Sequence, residues 1–189
     1  MLLERLKTET SQSHAQLESH VGLATTLQQH EHQLWLFYGF VSALEDRLLE
    51  LLGPDDPIVS GRGKTDWLAA DLAFCGWNAT RIATIPRPAA LPPLTSRLEA
   101  LGVAYVIEGS TLGGQFISRH LETTLGLCDG QGYRYFQSYG TDVRARWVAF
   151  REELMQASSP ENDAIIIAAA QECFRRLEDW FRQHRQLAA

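Results

Sequence analysis

Apolar residues return at every third or fourth position along most of this chain, a spacing that admits helices and little else. Leu34, Phe37, Val41, Leu44, Leu48 and Leu51 follow that rule and predict a helix over about 30–52, stopped by Gly53 and Pro54. Leu3, Leu6, Leu17 and Val21 share one face of a helix over about 2–20, which Gly22 closes. A shorter helix over about 65–75 turns Trp67, Leu68, Leu72 and Cys75 inward. The longest candidate runs from Thr95 to Leu125 and is interrupted by Gly109, Gly113 and Gly114. Two more follow at about 140–156 and 161–187, the second with Ser159 as N-cap, Pro160 at its first position and Glu161 in its first turn. Between these lie turn chemistry before Gly63, a loop over 78–93 with four of the seven prolines, and the glycine-rich turn CDGQGYRYF. No alternating strand pattern, repeat or low-complexity tract is present. The expectation is an all-α fold of five to seven helices, forming one domain over residues 1–189.

Charge narrows the partners. Seventeen Lys and Arg against twenty-three Asp and Glu give a formal net charge of -6 without a basic run, which argues against nucleic acid or an anionic membrane. The first residues carry charges where a signal peptide needs its apolar stretch, and no uncharged apolar run is long enough to span a bilayer. Cys75, Cys128 and Cys173 are odd in number, far apart and without CxxC spacing. They read as reduced thiols in apolar settings, with no zinc site, in a cytoplasmic protein.

Two constellations could carry chemistry. Lys7, Thr10, His14 and Glu18 fall on one stripe of the first helix, because separations of three and four return to the same side. Glu18, one turn beyond His14, can accept its Nδ1–H and so turn Nε2 outward as a metal ligand. A surface helix with an i,i+4 His–Glu pair would present the same residues. The second is Gly109-Ser110-Thr111-Leu112-Gly113-Gly114. Each glycine inside a helix costs roughly 1 kcal/mol relative to alanine, so the group needs a reason. A kink that lets backbone approach a flat ligand is one; tight packing of two helices through small residues is another.

Taken together, the Lys-x-x-Thr-x-x-x-His-x-x-x-Glu helix and the later A-Y-V-I-E-G-S-T-L-G-G helix resemble the haem oxygenases, most closely the bacterial, biliverdin-producing branch often paired with bacteriophytochromes. The similarity extends through F-Y-G-F in the second helix, YRYFQSYG from Tyr133 to Gly140, and the final F-R-R-L-E-D-W-F. It implies that haem, both substrate and cofactor, lies between the first helix and a kinked distal helix. His14 would be the iron ligand, Glu18 its hydrogen-bonding partner, and Lys7 a contact for a propionate, with Thr10 on the same stripe. Gly109, Ser110 and Gly113 would form the catalytic face of the distal helix, with Gly114 beside them. Arg151, in W-V-A-F-R-E-E-L, matches the region of a second propionate cation, and Trp147 stands where some relatives carry a basic residue. Tyr105 and Phe174 would wall the pocket. Dioxygen and an external donor (a ferredoxin, flavodoxin or reductase) are implied, with a bacteriophytochrome as a possible acceptor of the product.

One departure bears on the chemistry. Many family members place an aspartate directly after the first distal glycine, whereas this chain has Ser110, a form shared by some bacterial members. That keeps open a protein which carries or senses haem without degrading it. A di-iron relative would need carboxylates and histidines to converge, and Glu45, Asp46, Asp71 and Glu122 are scattered candidates without an E-x-x-H pair. A thiamin-hydrolysing relative would need a reactive cysteine.

Overall fold

The computed structural model describes residues 1–184, so the 185–187 end of the last expected helix lies outside the described residues. Seven helices of ten residues or more are present: α1 (Leu2–Val21), α2 (Leu27–Leu52), α3 (Thr65–Phe74), α5 (Arg97–Ser110), α6 (Gly114–Leu125), α8 (Val143–Ala157) and α9 (Pro160–Gln183). Single turns α4 (Ala79–Ile82) and α7 (Arg134–Gln137) complete them, and a 3-10 turn over Gly140–Asp142 leads into α8. No helix among the described residues is long and apolar enough to cross a membrane.

Capping chemistry explains the boundaries. The Thr26 side chain accepts from the Gln29 amide, so α2 starts three residues earlier than apolar spacing alone suggests. Ser96 and Glu99 form a reciprocal capping box that opens α5, and Ser159 caps α9 through the Asn162 amide with Pro160 behind it. Two caps come from distant helices instead. Glu45 of α2 accepts from the Lys64 and Thr65 amides and the Thr65 hydroxyl, at 2.6, 3.1 and 2.6 Å, and so caps α3. Asp71 of α3 accepts from the Arg134 and Tyr135 amides, both at 2.8 Å, and so creates α7 inside what reads as a plain turn. The proline-rich segment is likewise more than a loop. Asn78 caps α4 through the Arg81 amide, and Ile82, Ile85 and Leu94 are buried beneath the prolines.

Helix α5 is the centre of the core, with Ala100 to Ala104 and Val106 to Glu108 all buried. It crosses α9 with almost no space between backbones. A Cβ at Gly102 would sit 2.2 Å from the Ile166 carbonyl oxygen and 2.8 Å from the Ala169 Cβ. Helix α1 lies along α9 in the same direction. Arg5 faces Asp163, the Gln171 amide donates to the Glu9 carbonyl at 3.0 Å, and the His14 ring meets Phe174. Across the other end of α9, the Trp180 indole N–H donates to the Leu36 carbonyl of α2 at 2.9 Å.

The long helix expected over 95–125 is broken in two. After Ser110 the amides of Thr111, Leu112, Gly113 and Gly114 each bond three residues back instead of four, at 3.2–3.3 Å, and α6 then resumes in a new direction. Of the cysteines, Cys75 and Cys173 have thiols pushed up by burial, Cys75 to about 11, as inert groups should. Cys128 corrects the sequence expectation: it is exposed, because it sits at the start of the glycine turn and not in the core.

Two predictions follow from this packing. Gly102→Ala forces a methyl into the α5–α9 crossing and should destabilise by about 2 kcal/mol or more, lowering Tm by roughly 5 °C, measured by thermal denaturation. Burial raises the Asp71 carboxyl from the usual 3.8 to about 6. The folded state therefore binds this proton more tightly than the unfolded one. Its contribution is full below pH 3.8 and lost as pH rises through about 6. Wild-type protein should lose stability relative to Asp71→Asn over that window, as read by urea titrations at several pH values.

Candidate functional site

Two ties join the first helix region to the broken helix. Tyr105 of α5 lies beside Thr10 of α1, and burial raises the phenol's pKa. Further along, about two turns into α6, His120 Nε2 lies 2.8 Å from the Ala24 carbonyl oxygen in the α1–α2 link. The second half of α1 and the residues 109–117 lie between these two ties in the chain.

On α1, the His14 side chain is 54% exposed, and Glu18 beside it is 70% exposed. The His14 Nδ1 lies 3.5 Å from a Glu18 oxygen, which leaves Nε2 turned away from that carboxylate. The edge of the ring packs on buried Phe174 of α9, with centroids 5.8 Å apart and planes 72° apart. An aromatic wall and a carboxylate thus restrict the imidazole's rotation from two sides. Thr10, one turn earlier, is buried and donates to the Leu6 carbonyl at 2.6 Å, so the stripe passes from buried at Thr10 to exposed at His14 and Glu18. Lys7 lies one turn before Thr10 and is exposed.

In the broken helix the glycines separate into two kinds. At Gly109 an added Cβ would meet nothing closer than Trp147 at 3.9 Å, and at Gly113 nothing closer than the Ser110 carbonyl oxygen at 3.7 Å. Neither has the positive φ that favours glycine. No protein contact therefore requires glycine at these two positions. Gly114 differs: a Cβ there would fall 2.0 Å from the Phe136 carbonyl oxygen. Its missing side chain serves the contact of α6 with α7, a packing reason in place of the ligand-facing one that the motif suggests. Leu112 and Phe116 remain 47% and 67% exposed near the break.

Ser110 is exposed, and its hydroxyl donates to the Ile107 carbonyl at 2.8 Å. It lies near the Tyr135 phenol, whose pKa burial drives far up. Tyr135 is thus a polar group at the break that sequence reasoning missed, although it lies in the YRYF segment. Tyr105 and Trp147 line the adjoining wall, 5.9 Å between centroids. Arg151, one turn beyond Trp147 on α8, is exposed. The structure thus brings His14, Glu18 and Phe174 into one group, and Thr10, Tyr105, Trp147 and Gly109 into a second.

The carboxylates that could suggest a di-iron centre are dispersed and each is occupied. Glu45 caps α3, Asp71 caps α7, Asp46 pairs with Arg87 at 2.6 Å, and Glu122 accepts from the Tyr133 hydroxyl at 2.7 Å. A cavity of about 310 Å³ opens on another face of α5, between Val41, Leu44, Ile58, Lys64, Ile107 and Glu108.

The Heme oxygenase family model matches residues 1–183. A relative named heme oxygenase, from Xanthomonas campestris pv. campestris (strain 8004), is 32% identical over 159 residues, covering 81% of this chain and 87% of that protein. The heme oxygenase of Neisseria meningitidis, solved with NO and CO bound, superposes with a TM-score of 0.68 at 22% identity over 97% of this chain and 92% of that one. The heme oxygenase of Leptospira interrogans gives 0.71 at 19% identity, over 96% and 98%. At those identities the two structures establish the fold, while the family match and the Xanthomonas relative establish kinship: the chain belongs to the heme oxygenase family and is an enzyme of that type.

Proposed function

We propose that this protein cleaves haem to biliverdin with release of iron and CO, using dioxygen and electrons from an external donor, as a member of the bacterial biliverdin-producing branch. The observation that carries the reading is the pairing of His14 with two glycines that no protein contact requires. A Cβ at Gly109 or Gly113 would make only ordinary van der Waals contact, and His14 is held by Glu18 and Phe174 with Nε2 directed elsewhere. A flat ligand approaching the backbone of the broken helix accounts for both.

The bound substrate brings the iron at which dioxygen is activated. The chain's own residues then have four tasks. His14 holds the substrate through one neutral imidazole, and Glu18 keeps its Nδ1 protonated. Lys7 and Arg151, both exposed cations, neutralise propionates at the open edge. Tyr105, Trp147 and Phe174 exclude water along the wall. Ser110, near the Tyr135 phenol, holds a water and passes protons at the position where many relatives use a carboxylate. Electrons come from a ferredoxin, flavodoxin or reductase, and a bacteriophytochrome is a fitting acceptor of the product.

Hemin added to the purified apoprotein should give a stoichiometric histidine-type Soret band that decays to biliverdin when reductant and air are supplied. A complex that survives the reductant would identify a carrier or sensor, and the absence of binding would remove the reading altogether. His14→Ala should lose the native ligation, and Glu18→Gln should weaken hemin binding by about 10-fold, read by Soret titration. Gly109→Ala should leave the apoprotein's Tm unchanged or slightly raised, since alanine gains up to about 1 kcal/mol in a helix. Its hemin affinity should fall, because the new methyl occupies the open side.

A further inference from the structure

The broken helix raises a mechanical question. Three glycines in six residues make residues 109–114 soft, so something outside the segment must set where the helix bends. The bend begins at Glu108. Its carbonyl is the first acceptor of the changed hydrogen-bond pattern, taking the Thr111 amide at 3.2 Å and the Thr111 hydroxyl at 2.7 Å. A threonine hydroxyl bonded back into the preceding turn favours a bend at that point.

The Glu108 side chain is held from elsewhere. One oxygen accepts from Arg62 Nη1 at 2.6 Å; the other accepts from Lys64 Nζ at 2.6 Å and from the Tyr139 hydroxyl at 2.9 Å. The Arg62, Lys64 and Glu108 side chains are 6%, 1% and 3% exposed. These donors are anchored in turn. Lys64 Nζ also donates to the Arg62 carbonyl at 2.8 Å, Arg62 Nε donates to the Pro57 carbonyl at 2.8 Å, and Arg62 reaches the Arg146 carbonyl of α8 at 3.4 Å. The α2–α3 connection and Tyr139, two residues beyond α7, therefore converge on one carboxylate, and Arg62 links it to α8.

Burying three charges is a costly way to gain stability, since apolar side chains of similar volume do as well or better. What an ion cluster supplies and an apolar contact does not is a fixed direction for each bond. We propose that Glu108 is a positioning residue: clamped by Arg62, Lys64 and Tyr139, it sets the angle at which the segment 109–113 leaves α5, and through it the placement of Ser110 and Gly109 over the substrate. The inference rests on the haem-cleaving reading for its consequence, but the clamp itself is testable without haem.

The full-length variants Glu108→Gln and Tyr139→Phe test it. In the apoprotein, hydrogen exchange at the amides of Ser110 to Gly114 should quicken at least about tenfold in E108Q while α9 stays protected. In the hemin-loaded protein, E108Q should keep a histidine-type Soret band while the C–O stretching band of its ferrous CO complex shifts or splits. Y139F, which leaves both ion pairs in place, should show the same changes to a smaller degree. Uniform acceleration of exchange along the chain with an unchanged CO band would mean a merely structural role and overturn the proposal. If E108Q fails to fold, Y139F decides: unchanged exchange at 110–114 and an unchanged CO band would likewise overturn it. Wild-type protein that binds no hemin would sink the proposed function, yet the exchange experiment would still judge the clamp.

Discussion

The contact on which the rest of this molecule depends is the crossing of α5 with α9. At Gly102 the two backbones approach so closely that a single methyl would overlap the Ile166 carbonyl. Helix α9 also carries α1 along its length in the same direction, so one long helix holds the histidine-bearing helix and the glycine-broken helix in a common frame. His14 and Gly109 each lie four residues beyond a member of the neighbouring pair Thr10 and Tyr105. A wider crossing at Gly102 would move these two helices apart and change the opening between them. Dense packing transmits such a displacement, because close-packed interiors shift as units.

Polar groups in this protein are spent on boundaries. Glu45 and Asp71, on α2 and α3, cap helices that follow them in the chain, and Glu108 gathers three donors where α5 ends. In each case a carboxylate is buried because it satisfies donors that a helix end or a lone cation would otherwise leave without partners. The glycines divide in a similar way. Gly102 and Gly114 answer to neighbouring backbone, whereas Gly109 and Gly113 answer to nothing in the protein. That contrast divides the motif: close packing accounts for Gly114, and no packing contact accounts for Gly109 or Gly113.

Much of the architecture was legible before any coordinates. The apolar spacing of α1, α2 and α9, the Ser159–Pro160 start of α9 and the interruption at Gly109–Gly114 all lie in local chemistry, and each appears where it was expected. The stripe of Thr10, His14 and Glu18 was legible for the same reason, since a helix places those positions by its pitch alone. The misses share a cause. α7 exists because Asp71 reaches it from more than sixty positions away, α4 is a single Asn78-capped turn inside a proline-rich stretch, and Cys128 is exposed in the glycine turn. The Tyr135 phenol beside Ser110 and the Glu108 clamp were equally invisible, although Glu108 stands inside the recognised motif.

What the sequence determined by itself is periodic or adjacent: helix faces, caps built from neighbouring residues, and the place where three glycines weaken a helix. Tertiary structure alone decided which glycine must lack a side chain and which has room for one, which carboxylate ends which helix, and which cations meet Glu108. These are distances between segments far apart in the chain, and such distances are set by how helices cross, a quantity that no local spacing of residues contains.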